Sequence, residues 1–510
     1  MNQSQQPDHQ VIIIGTGFAG LGMAINLKKA GKEDFVIFER EADVGGTWFV
    51  NNYPGCACDV QSHLYSFSFA PNPEWSRMFS PQEEIWSYLR DCTDKFDIRS
   101  HIRFNSEVSS ARYDEEAGIW TVTTADGDSA TARVVVSAMG PLDRPMLPNI
   151  PGIDSFKGKA FHSQHWDHDY DLSGKKVAVI GTGASAIQFV PEIATQVDEL
   201  KLFQRTPPWI MPKPDRDLST LEHQLYKRLP AAQKAMRGAI YSLLESRVLA
   251  FVFTPRLMKM LRTVAVRHIH KHIKDPVLRA KVTPDYTIGC KRVLISNNYY
   301  PALARDNVDV ITDGVAEVRA NSVVTTDGVA HAVDAIIYGT GFHATEPLPR
   351  GVVFGKGGQD LLDAWADGIE AYKGCVVSGF PNLFIVPGPN TGLGHSSMVY
   401  MIESQIRYVM GALRTLDKRA AKSIDVRPEA QRAYNDDIQN RIQGTVWNTG
   451  GCQSWYINED GKNVTLWPGF TFAFRQRTRH FDAGSYIIEP IAAASNETAT
   501  TANVTAPQAA

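Results

Sequence analysis

The sequence predicts an α/β fold with two βαβ units, and two observations lead to this prediction. The pattern Gly-x-Gly-x-x-(Gly/Ala) occurs twice, at residues 15–20 and at residues 181–186. Each copy follows an apolar run, opens a stretch with helical periodicity and leads into a second apolar run, as a βαβ unit requires. We therefore expect two Rossmann-like dinucleotide-binding domains, with predicted helices at 217–285 forming an insertion in the second domain.

The first unit has a predicted strand at 11–14, then the glycine pattern, a helix and a second strand at 35–39. The glycines allow a tight turn and let backbone N–H groups approach a pyrophosphate at the helix N-terminus. Glu39 lies 24 residues after the first glycine, where a carboxylate accepts a hydrogen bond from a free ribose 2′-hydroxyl. This unit is therefore predicted to hold a dinucleotide without a 2′-phosphate, namely FAD.

The second unit repeats this order, with predicted strands at 177–180 and 200–205 around its glycine pattern. Arg205 also lies 24 residues after the first glycine of its pattern. A guanidinium at this place pairs with a 2′-phosphate, so the second unit is predicted to bind NADPH. After the helical insertion, β-rich sequence resumes at 308–311 and 335–342.

The order of these segments predicts two discontinuous domains. A return strand and a glycine turn at 133–140 close the first unit, and a proline-rich stretch follows. Residues 1–9 and the tail from about 492 are predicted to be disordered, because they contain few apolar groups. The predicted boundaries are 1–145 and 380–495 for the FAD-binding domain, 146–216 and 286–379 for the NADP-binding domain, 217–285 for the insertion and 496–510 for the disordered tail.

Composition narrows the possible partners and the compartment. The net charge of −3, from 52 basic and 55 acidic side chains, implies no nucleic-acid-binding patch. The apolar stretch at 248–253 is too short to span a bilayer, and no signal pattern begins the chain, so we expect a cytoplasmic protein without an integral membrane segment. Six cysteines in a chain of 510 residues fit a reducing cytoplasm without structural disulfides. No obligate protein partner is evident.

Two groups of histidines raise the question of a metal site. Within the insertion, only His268 and His272 have the i, i+4 spacing of ligands on one helical face, and no acidic residue is near them. Two other interpretations of this stretch are a solvated basic face and a helix that lies on a membrane surface. His162, His165 and His168 also lack a supporting Cys or carboxylate pattern, so we predict no metal.

The segment between the two units carries a longer motif. Residues 156–167 resemble, without a gap, the FxGxxxHxxxW(P/D) signature of type I Baeyer–Villiger monooxygenases, and a second stretch at 45–59 is similar to another signature of that family. The resemblance covers nearly the whole chain apart from its termini. It implies a flavin monooxygenase that uses FAD, NADPH and O2 to insert one oxygen beside a ketone carbonyl through a C4a-peroxyflavin, giving an ester or a lactone. The matching signature residues are Phe156, Gly158, His162, Trp166 and Asp167.

The resemblance also implies roles for individual residues. Arg292 would stabilise the oxyanions of the reaction, because a guanidinium keeps its charge when buried, and Asp59 would orient it. Lys291 would join Arg205 and Thr206 at the NADPH 2′-phosphate, whereas His162 would couple the domains away from the reaction centre. Considered without the resemblance, Lys291 and Arg292 could be a solvated basic pair and Asp59 a surface acid.

The other predicted cofactor contacts follow the two glycine patterns and the family signatures. Predicted FAD contacts are Gly15, Gly17, Phe18, Ala19, Gly20, Glu39, Arg40, Gly46, Thr47, Trp48, Asp59, Tyr65, Val108 and Met398. Predicted NADP contacts are Gly181, Thr182, Gly183, Ala184, Ser185, Ala186, Arg205, Thr206, Lys291 and Trp455. Trp455 and residues 461–463 resemble a mobile loop that closes over nicotinamide, with residues 450–451 as a hinge. Residues 388–392 are predicted to approach the flavin ring.

Two alternative functions remain open from the sequence. A monooxygenase acting on sulfur or nitrogen needs a protonated hydroperoxide, so Arg292 would matter less to it; the Trp166-Asp167 ending disfavours this class. A sensor that binds flavin without turnover would tolerate loss of Arg205 and Lys291, which are both present. Residues 297–301 look like those of members acting on aryl or long-chain ketones, but no motif encodes the particular ketone.

Overall fold

The computed structural model describes residues 6–344, 349–458 and 460–491, and each structural statement below concerns these residues. Its largest sheet has eight strands in the order β17-β4-β5-β6-β1-β2-β3, with β18 also paired to β6. The strands are β1 (His9–Ile14), β2 (Phe35–Phe38), β3 (Ile102–Arg103), β4 (Val108–Asp114), β5 (Ile119–Thr124), β6 (Ser129–Ser137), β17 (Val353–Phe354) and β18 (Leu383–Ile385).

The second large sheet has five strands, all parallel, in the order β12-β9-β8-β16-β7. Its central strands β8 and β16 are almost fully buried, as expected for parallel strands covered on both faces. Its strands are β7 (Lys159–His162), β8 (Lys176–Ile180), β9 (Glu199–Phe203), β12 (Val308–Ile311) and β16 (Ala335–Tyr338). Three small sheets contain β10 (Ile210–Met211) with β11 (Leu294–Ile295), β13 (Val315–Arg319) with β14 (Ser322–Thr325) and β15 (Ala330–Ala332), and β19 (Ala421–Val426) with β20 (Tyr486–Pro490).

Fourteen α-helices surround these sheets in the described part of the chain. Helices α5 to α8, with a π-helical turn at Leu249–Phe253, form the stretch between β10 and β11. The helices are α1 (Phe18–Lys29), α2 (Thr47–Val50), α3 (Gln82–Lys95), α4 (Ala186–Ile193), α5 (Thr220–Arg228), α6 (Pro230–Ser246), α7 (Met258–His272), α8 (Pro276–Val282), α9 (Tyr299–Leu303), α10 (Leu361–Ala364), α11 (Met398–Lys418), α12 (Pro428–Ile442), α13 (Val446–Thr449) and α14 (Thr471–Arg477).

The α/β fold class predicted from the two glycine patterns is confirmed. Each pattern joins a central parallel strand, β1 or β8, to a helix, and the next strand, β2 or β9, lies beside the first. The predicted disorder of residues 1–9 is wrong for Asp8 and His9. β1 begins at His9, and the Asp8 carboxylate accepts a 2.8 Å hydrogen bond from the Thr131 N–H. The predicted disordered tail, 492–510, and residues 1–5 lie outside the described residues.

The expectation of a chain without disulfides is wrong. Cys290 and Cys452, which are 162 residues apart in sequence, form a disulfide with a Cα–Cα distance of 6.1 Å. The fold brings together two segments that the sequence separates by most of the C-terminal half. The remaining cysteines, all buried and free, are Cys56, Cys58, Cys92 and Cys375.

Neither histidine group forms a metal site in the part of the chain that is described. His268 packs edge-on against His272, with ring centroids 5.0 Å apart, and its Nε2 lies 2.9 Å from the Ser296 carbonyl oxygen. Among residues 6–344, 349–458 and 460–491, no cluster of His, Cys, Asp and Glu has the arrangement of a metal centre. None of the helices described is both long and apolar enough to cross a membrane.

Candidate active site

The first glycine pattern forms a narrow turn between β1 and α1. A Cβ at Gly20 would lie 1.9 Å from the Gly15 carbonyl oxygen, so only glycine lets the helix approach the turn this closely. A Cβ at Gly46 would lie 2.9 Å from the Gly17 Cα, so residues 45–46 also approach the turn as bare backbone. Because a groove lined by glycine backbone beside a helix N-terminus suits a pyrophosphate, the residues present fit FAD.

Glu39 lies directly after β2, and its carboxylate is held beside this turn. It is 5% exposed and accepts hydrogen bonds from the Thr16 N–H at 2.8 Å, the Thr16 hydroxyl at 2.5 Å and the Glu41 N–H at 2.9 Å. Burial, the largest influence, raises the pKa of Glu39 despite these donors. The Ser106 N–H donates to the Glu39 carbonyl oxygen at 2.7 Å, which places the start of β4, at Val108, near Glu39.

The second glycine pattern leads to a cationic surface. α4 begins at Ala186, and a Cβ at Gly181 would lie 2.4 Å from the Gly339 carbonyl oxygen. Arg205 is exposed, and burial followed by the charge of Arg205 lowers the pKa of Lys291. Neither cation forms an ion pair with a described residue. Two neighbouring cations beside a helix N-terminus fit a dinucleotide with a 2′-phosphate.

Arg292 and Asp59 form an ion pair across the two halves of the molecule. The Arg292 Nη2 and Nε donate to the same Asp59 carboxylate oxygen at 2.6 and 3.1 Å, although the residues are 233 positions apart. Asp59 follows α2 in the first unit, and Arg292 lies two residues before β11. The sequence therefore predicts the pairing of these two side chains correctly. The ion pair joins a residue of the first nucleotide-binding unit to a residue of the second.

The electrostatics of this pair keep both of its side chains charged. The side chains of Arg292 and Asp59 remain 35% and 31% exposed, yet burial is the largest influence on Asp59. Burial alone would raise the pKa of Asp59, but the attraction and hydrogen bonds of Arg292 outweigh it, and the net pKa is lowered. Asp59 in turn raises the pKa of Arg292, so both groups are charged.

Two further residues near the pair are not among the sequence predictions. Tyr456 is 1% exposed, its hydroxyl has no hydrogen-bond partner, and burial raises its pKa to about 12. Arg292 and Asp59 are the charged groups that act on it. Lys213, whose pKa is lowered by burial, lies 3.8 Å from Asp215 and is near enough to influence Asp59. Tyr456 follows the predicted contact Trp455 directly, which is the one signal that points to it in the sequence.

The segment after β2 is joined to α4 of the second unit by hydrogen bonds. The Tyr53 hydroxyl donates to the Gln188 side-chain oxygen at 2.9 Å, and the Gln188 amide donates to the Ala57 carbonyl at 2.9 Å. These bonds fix the segment at 53–57, which comes just before Asp59. Gln188 has no sequence signal that distinguishes it from other helix residues.

The signature segment at 156–167 contains β7, at the edge of the second sheet, and polar contacts connect this segment to the first unit. His162 ends β7, and its Nδ1 accepts a hydrogen bond from the Gln164 N–H at 3.1 Å. The Gln164 side chain donates to the Asp143 carbonyl at 2.9 Å, and Asp143 pairs with Arg40 at 2.7 Å. The other signature residues pack locally: Phe156 and Gly158 lie against each other, Trp166 contacts Phe161 and Phe189, and Asp167 pairs with Lys159.

Other predicted flavin contacts lie along one side of the first unit. The Trp48 indole N–H donates to the Tyr65 hydroxyl at 3.1 Å, and the Phe18 ring is edge-on to Tyr65 at 5.2 Å. Met398 begins α11 and lines a cavity together with residues 387–392 and the end of β6. Trp455 is 45% exposed and contacts Tyr456, with ring centroids 4.5 Å apart.

Comparison with known proteins agrees with this geometry. Residues 8–351 match the family model described as flavin-binding monooxygenase-like. The chain is 58% identical over 491 residues to a Baeyer–Villiger monooxygenase of Pseudomonas aeruginosa, covering 96% of this chain and 93% of the relative. It is 53% identical to a Baeyer–Villiger monooxygenase of Streptomyces coelicolor, covering 94% and 92%. A crystal structure of OTEMO with FAD and NADP superposes with a TM-score of 0.85 at 28% identity, covering 95% of this chain and all of that one.

Proposed function

The chain belongs to the flavin-binding monooxygenase-like family and is an NADPH-dependent Baeyer–Villiger monooxygenase, and on this premise we propose that Arg292, held by Asp59, is its catalytic residue. The enzyme binds FAD and NADPH and inserts one oxygen atom beside a ketone carbonyl, which gives an ester or a lactone. The observation that carries the proposal is the charged Arg292–Asp59 pair, which joins the two nucleotide-binding units.

The role of Arg292 follows from its charge and its fixed position. FAD, reduced by NADPH, supplies the activation of O2. Negative charge develops on oxygen during the attack on the ketone carbonyl, and the Arg292 guanidinium stabilises that charge. Asp59 accepts two N–H groups of the guanidinium on one carboxylate oxygen, so at least one further N–H group remains available for the reacting oxygen. Asp59 is thus the positioning partner, and it prevents the long arginine side chain from sampling other rotamers.

The same proposal assigns the cofactor contacts. Glu39 accepts a ribose hydroxyl of FAD, while Arg205, Thr206 and Lys291 hold the 2′-phosphate of NADPH. The proposal keeps the predicted domain order with helices α5 to α8 as the insertion, but it moves the start of the second FAD-binding segment from residue 380 to about 353, because Val353–Phe354 pairs with β4 of the first sheet. We place the enzyme in the cytoplasm and leave its physiological ketone open to screening with aryl, cyclic and linear compounds.

Product analysis with labelled oxygen tests the assignment of Arg292. Purified enzyme with NADPH, ¹⁸O2 and a panel of ketones plus one sulfide should yield an ester or lactone that carries one label. Arg292→Ala should lower this product by about 10²- to 10³-fold, because it removes the charge that stabilises the oxyanion. NADPH should still bleach the flavin of the variant.

A matched control separates this effect from general damage. Arg319, in the same domain, is exposed and pairs with Glu317 at the surface, so Arg319→Ala should retain full activity. Lactone formation that survives in Arg292→Ala would remove Arg292 from the catalytic role. A labelled sulfoxide as the sole product, unaffected by the substitution, would contradict the ketone reaction itself.

A further inference from the structure

The disulfide Cys290–Cys452 joins the catalytic segment to the start of a loop. Cys290 is fully buried and lies two residues before Arg292, whereas Cys452 is half-buried and lies four residues before Tyr456. Beside the bridge, the Thr287 N–H donates to the Gly450 carbonyl at 3.2 Å, and a Cβ at Gly450 would lie 2.5 Å from the Cys290 Cβ. The start of the loop is therefore pressed against the chain that carries Arg292.

The two ends of this loop, whose described residues are 450–458 and 460–463, are fixed by different means. At the far end, the Asn390 side chain donates to the Asn463 and Leu466 carbonyls at 2.8 and 3.1 Å, and Gln439 donates to Asn463 at 3.0 Å. Asn463 is fully buried, so these bonds are shielded from water. At the near end, the disulfide provides the covalent attachment, and it alone is sensitive to thiol reagents.

Tyr456 connects the near end of the loop to the ion pair. Its ring is buried, its hydroxyl lacks a hydrogen-bond partner, and the charges that act on it are Arg292 and Asp59. Since Cys452 lies only four residues away, the position of Tyr456 depends on where the bridge holds Cys452. Trp455, its exposed neighbour, shares this dependence.

The other cysteines do not compete for this chemistry. Cys56, Cys92 and Cys375 are buried, and burial raises the pKa of their thiols to about 12, 11 and 12. Burial also raises the pKa of Cys58 well above its usual range. Because thiolates are the reactive form, these four are poor partners for exchange, whereas the half-buried Cys452 is accessible to a reductant.

We propose that the Cys290–Cys452 bridge is a reversible positioning device, which holds residues 450–458, including Tyr456, near Arg292 when closed and releases them when open. It rests on the proposed role of Arg292 and on the predicted NADP contact of Trp455. Closing the bridge takes two electrons and two protons from the two thiols, forms one S–S bond and converts one hydrogen peroxide into two waters. A dithiol reductant reopens it. In a reducing cytoplasm such bridges are typically redox-responsive rather than permanent.

The first experiment counts thiols in the holoenzyme. Enzyme treated with hydrogen peroxide or with dithiothreitol is denatured, alkylated with N-ethylmaleimide and weighed by intact mass spectrometry. Four labels after oxidation and six after reduction are expected, because the chain has six cysteines and one bridge. Six labels in both states would overturn the proposal, as would four labels that dithiothreitol cannot raise.

The second experiment measures what the bridge does. Reduction should lower NADP+ affinity about 10-fold and speed chymotrypsin cleavage at Trp455 or Tyr456, because the loop must then be ordered on binding. Cys452→Ser should have the NADP+ affinity and the cleavage rate of the reduced enzyme, and dithiothreitol should change neither. The control Cys92→Ala, in α3, should show the same change in NADP+ affinity and cleavage rate on reduction as the wild-type enzyme.

The outcomes separate this proposal from the proposed function. Equal NADP+ affinity and equal cleavage in both redox states would overturn the positioning role, even if ketone oxidation is normal. Absence of any ester or lactone, with redox-dependent NADP+ binding intact, would instead contradict the catalytic assignment. If Cys452→Ser does not fold, Cys452→Ala and the reduced wild-type enzyme answer the same question.

Discussion

Glu39 and Arg205 occupy equivalent places in the two nucleotide-binding units, each just after the second strand of its unit. Glu39 is buried and already accepts three hydrogen bonds, two of them from Thr16 inside the glycine turn. Arg205 is exposed, and its charge lowers the pKa of another cation, Lys291. One position is organised before the ligand arrives, and the other gains its partner from the ligand.

This difference matches the ways in which the two cofactors are used. A buried carboxylate with fixed donors loses little freedom on binding, which favours a flavin that stays bound through many turnovers. An exposed guanidinium and a neighbouring lysine repel each other until a phosphate arrives, which suits a nicotinamide dinucleotide that must be exchanged. Under the proposed assignment, the same glycine pattern serves a resident and a mobile cofactor, and the residue after the second strand distinguishes them.

Of the substitutions considered, removal of Glu39 should have the largest effect on cofactor binding. In Glu39→Ala the N–H of Thr16 and that of Glu41 lose a buried acceptor, and FAD loses its ribose partner, so the Kd for FAD should rise about 100-fold or more. The measurement is the flavin-to-protein absorbance ratio after desalting, followed by titration of the apoprotein with FAD. Glu33→Ala, an exposed acid at the other end of β2, is the matched control. A variant that keeps its flavin through desalting would contradict the assignment.

Removing Arg205 should have a smaller and more selective effect. Loss of a charge-assisted contact to the 2′-phosphate corresponds to about a 10- to 100-fold increase in the KM for NADPH. The KM for NADH, which has no 2′-phosphate, should stay unchanged, and so should the flavin content. Steady-state NADPH and NADH consumption measures both values, with Arg319→Ala as the control. An equal loss for both nucleotides would mean that Arg205 does not contact the 2′-phosphate.

Local patterns predicted most of this arrangement. The glycine patterns gave the order of strand, helix and strand in both units, because close backbone packing at residues such as Gly20 and Gly181 admits no side chain. The pairing of Arg292 with Asp59 was also correct, although it came from resemblance to a family and not from spacing. Local backbone geometry depends on residues that are close together in the sequence, so it can be inferred from a short segment.

Contacts between distant segments could not be inferred in the same way. Cys290 and Cys452 are separated by 162 residues, and nothing near either cysteine identifies the other as its partner. Gln188 reaches Tyr53 from a helix whose sequence shows only an apolar face, and Tyr456 comes to lie near Arg292 because the loop that carries it folds back. Such contacts depend on how the two domains dock, which no local periodicity encodes.

The smallest effect concerns His162, which lies on the contact path between the two units. Burial lowers the pKa of His162 to about 4, and its Nε2 is buried without a hydrogen-bond partner. The unfolded chain, with the ordinary histidine pKa near 6.5, therefore takes up the proton first as the pH falls. The stabilisation that neutral His162 allows is complete above about pH 6.5 and is lost progressively as the pH falls towards 4. Between pH 7 and pH 5 this amounts to about 2 kcal/mol.

His162→Gln should remove this part of the acid sensitivity. Glutamine has no proton to gain, and its side-chain oxygen can still accept the Gln164 N–H that His162 Nδ1 accepts at 3.1 Å. The drop in apparent melting temperature between pH 7 and pH 5 should therefore be about 2 °C smaller in the variant than in the wild type. His165→Gln, an exposed neighbour, should leave the drop unchanged. An identical pH dependence in wild type and His162→Gln would show that another group carries the acid sensitivity of the contact between the units.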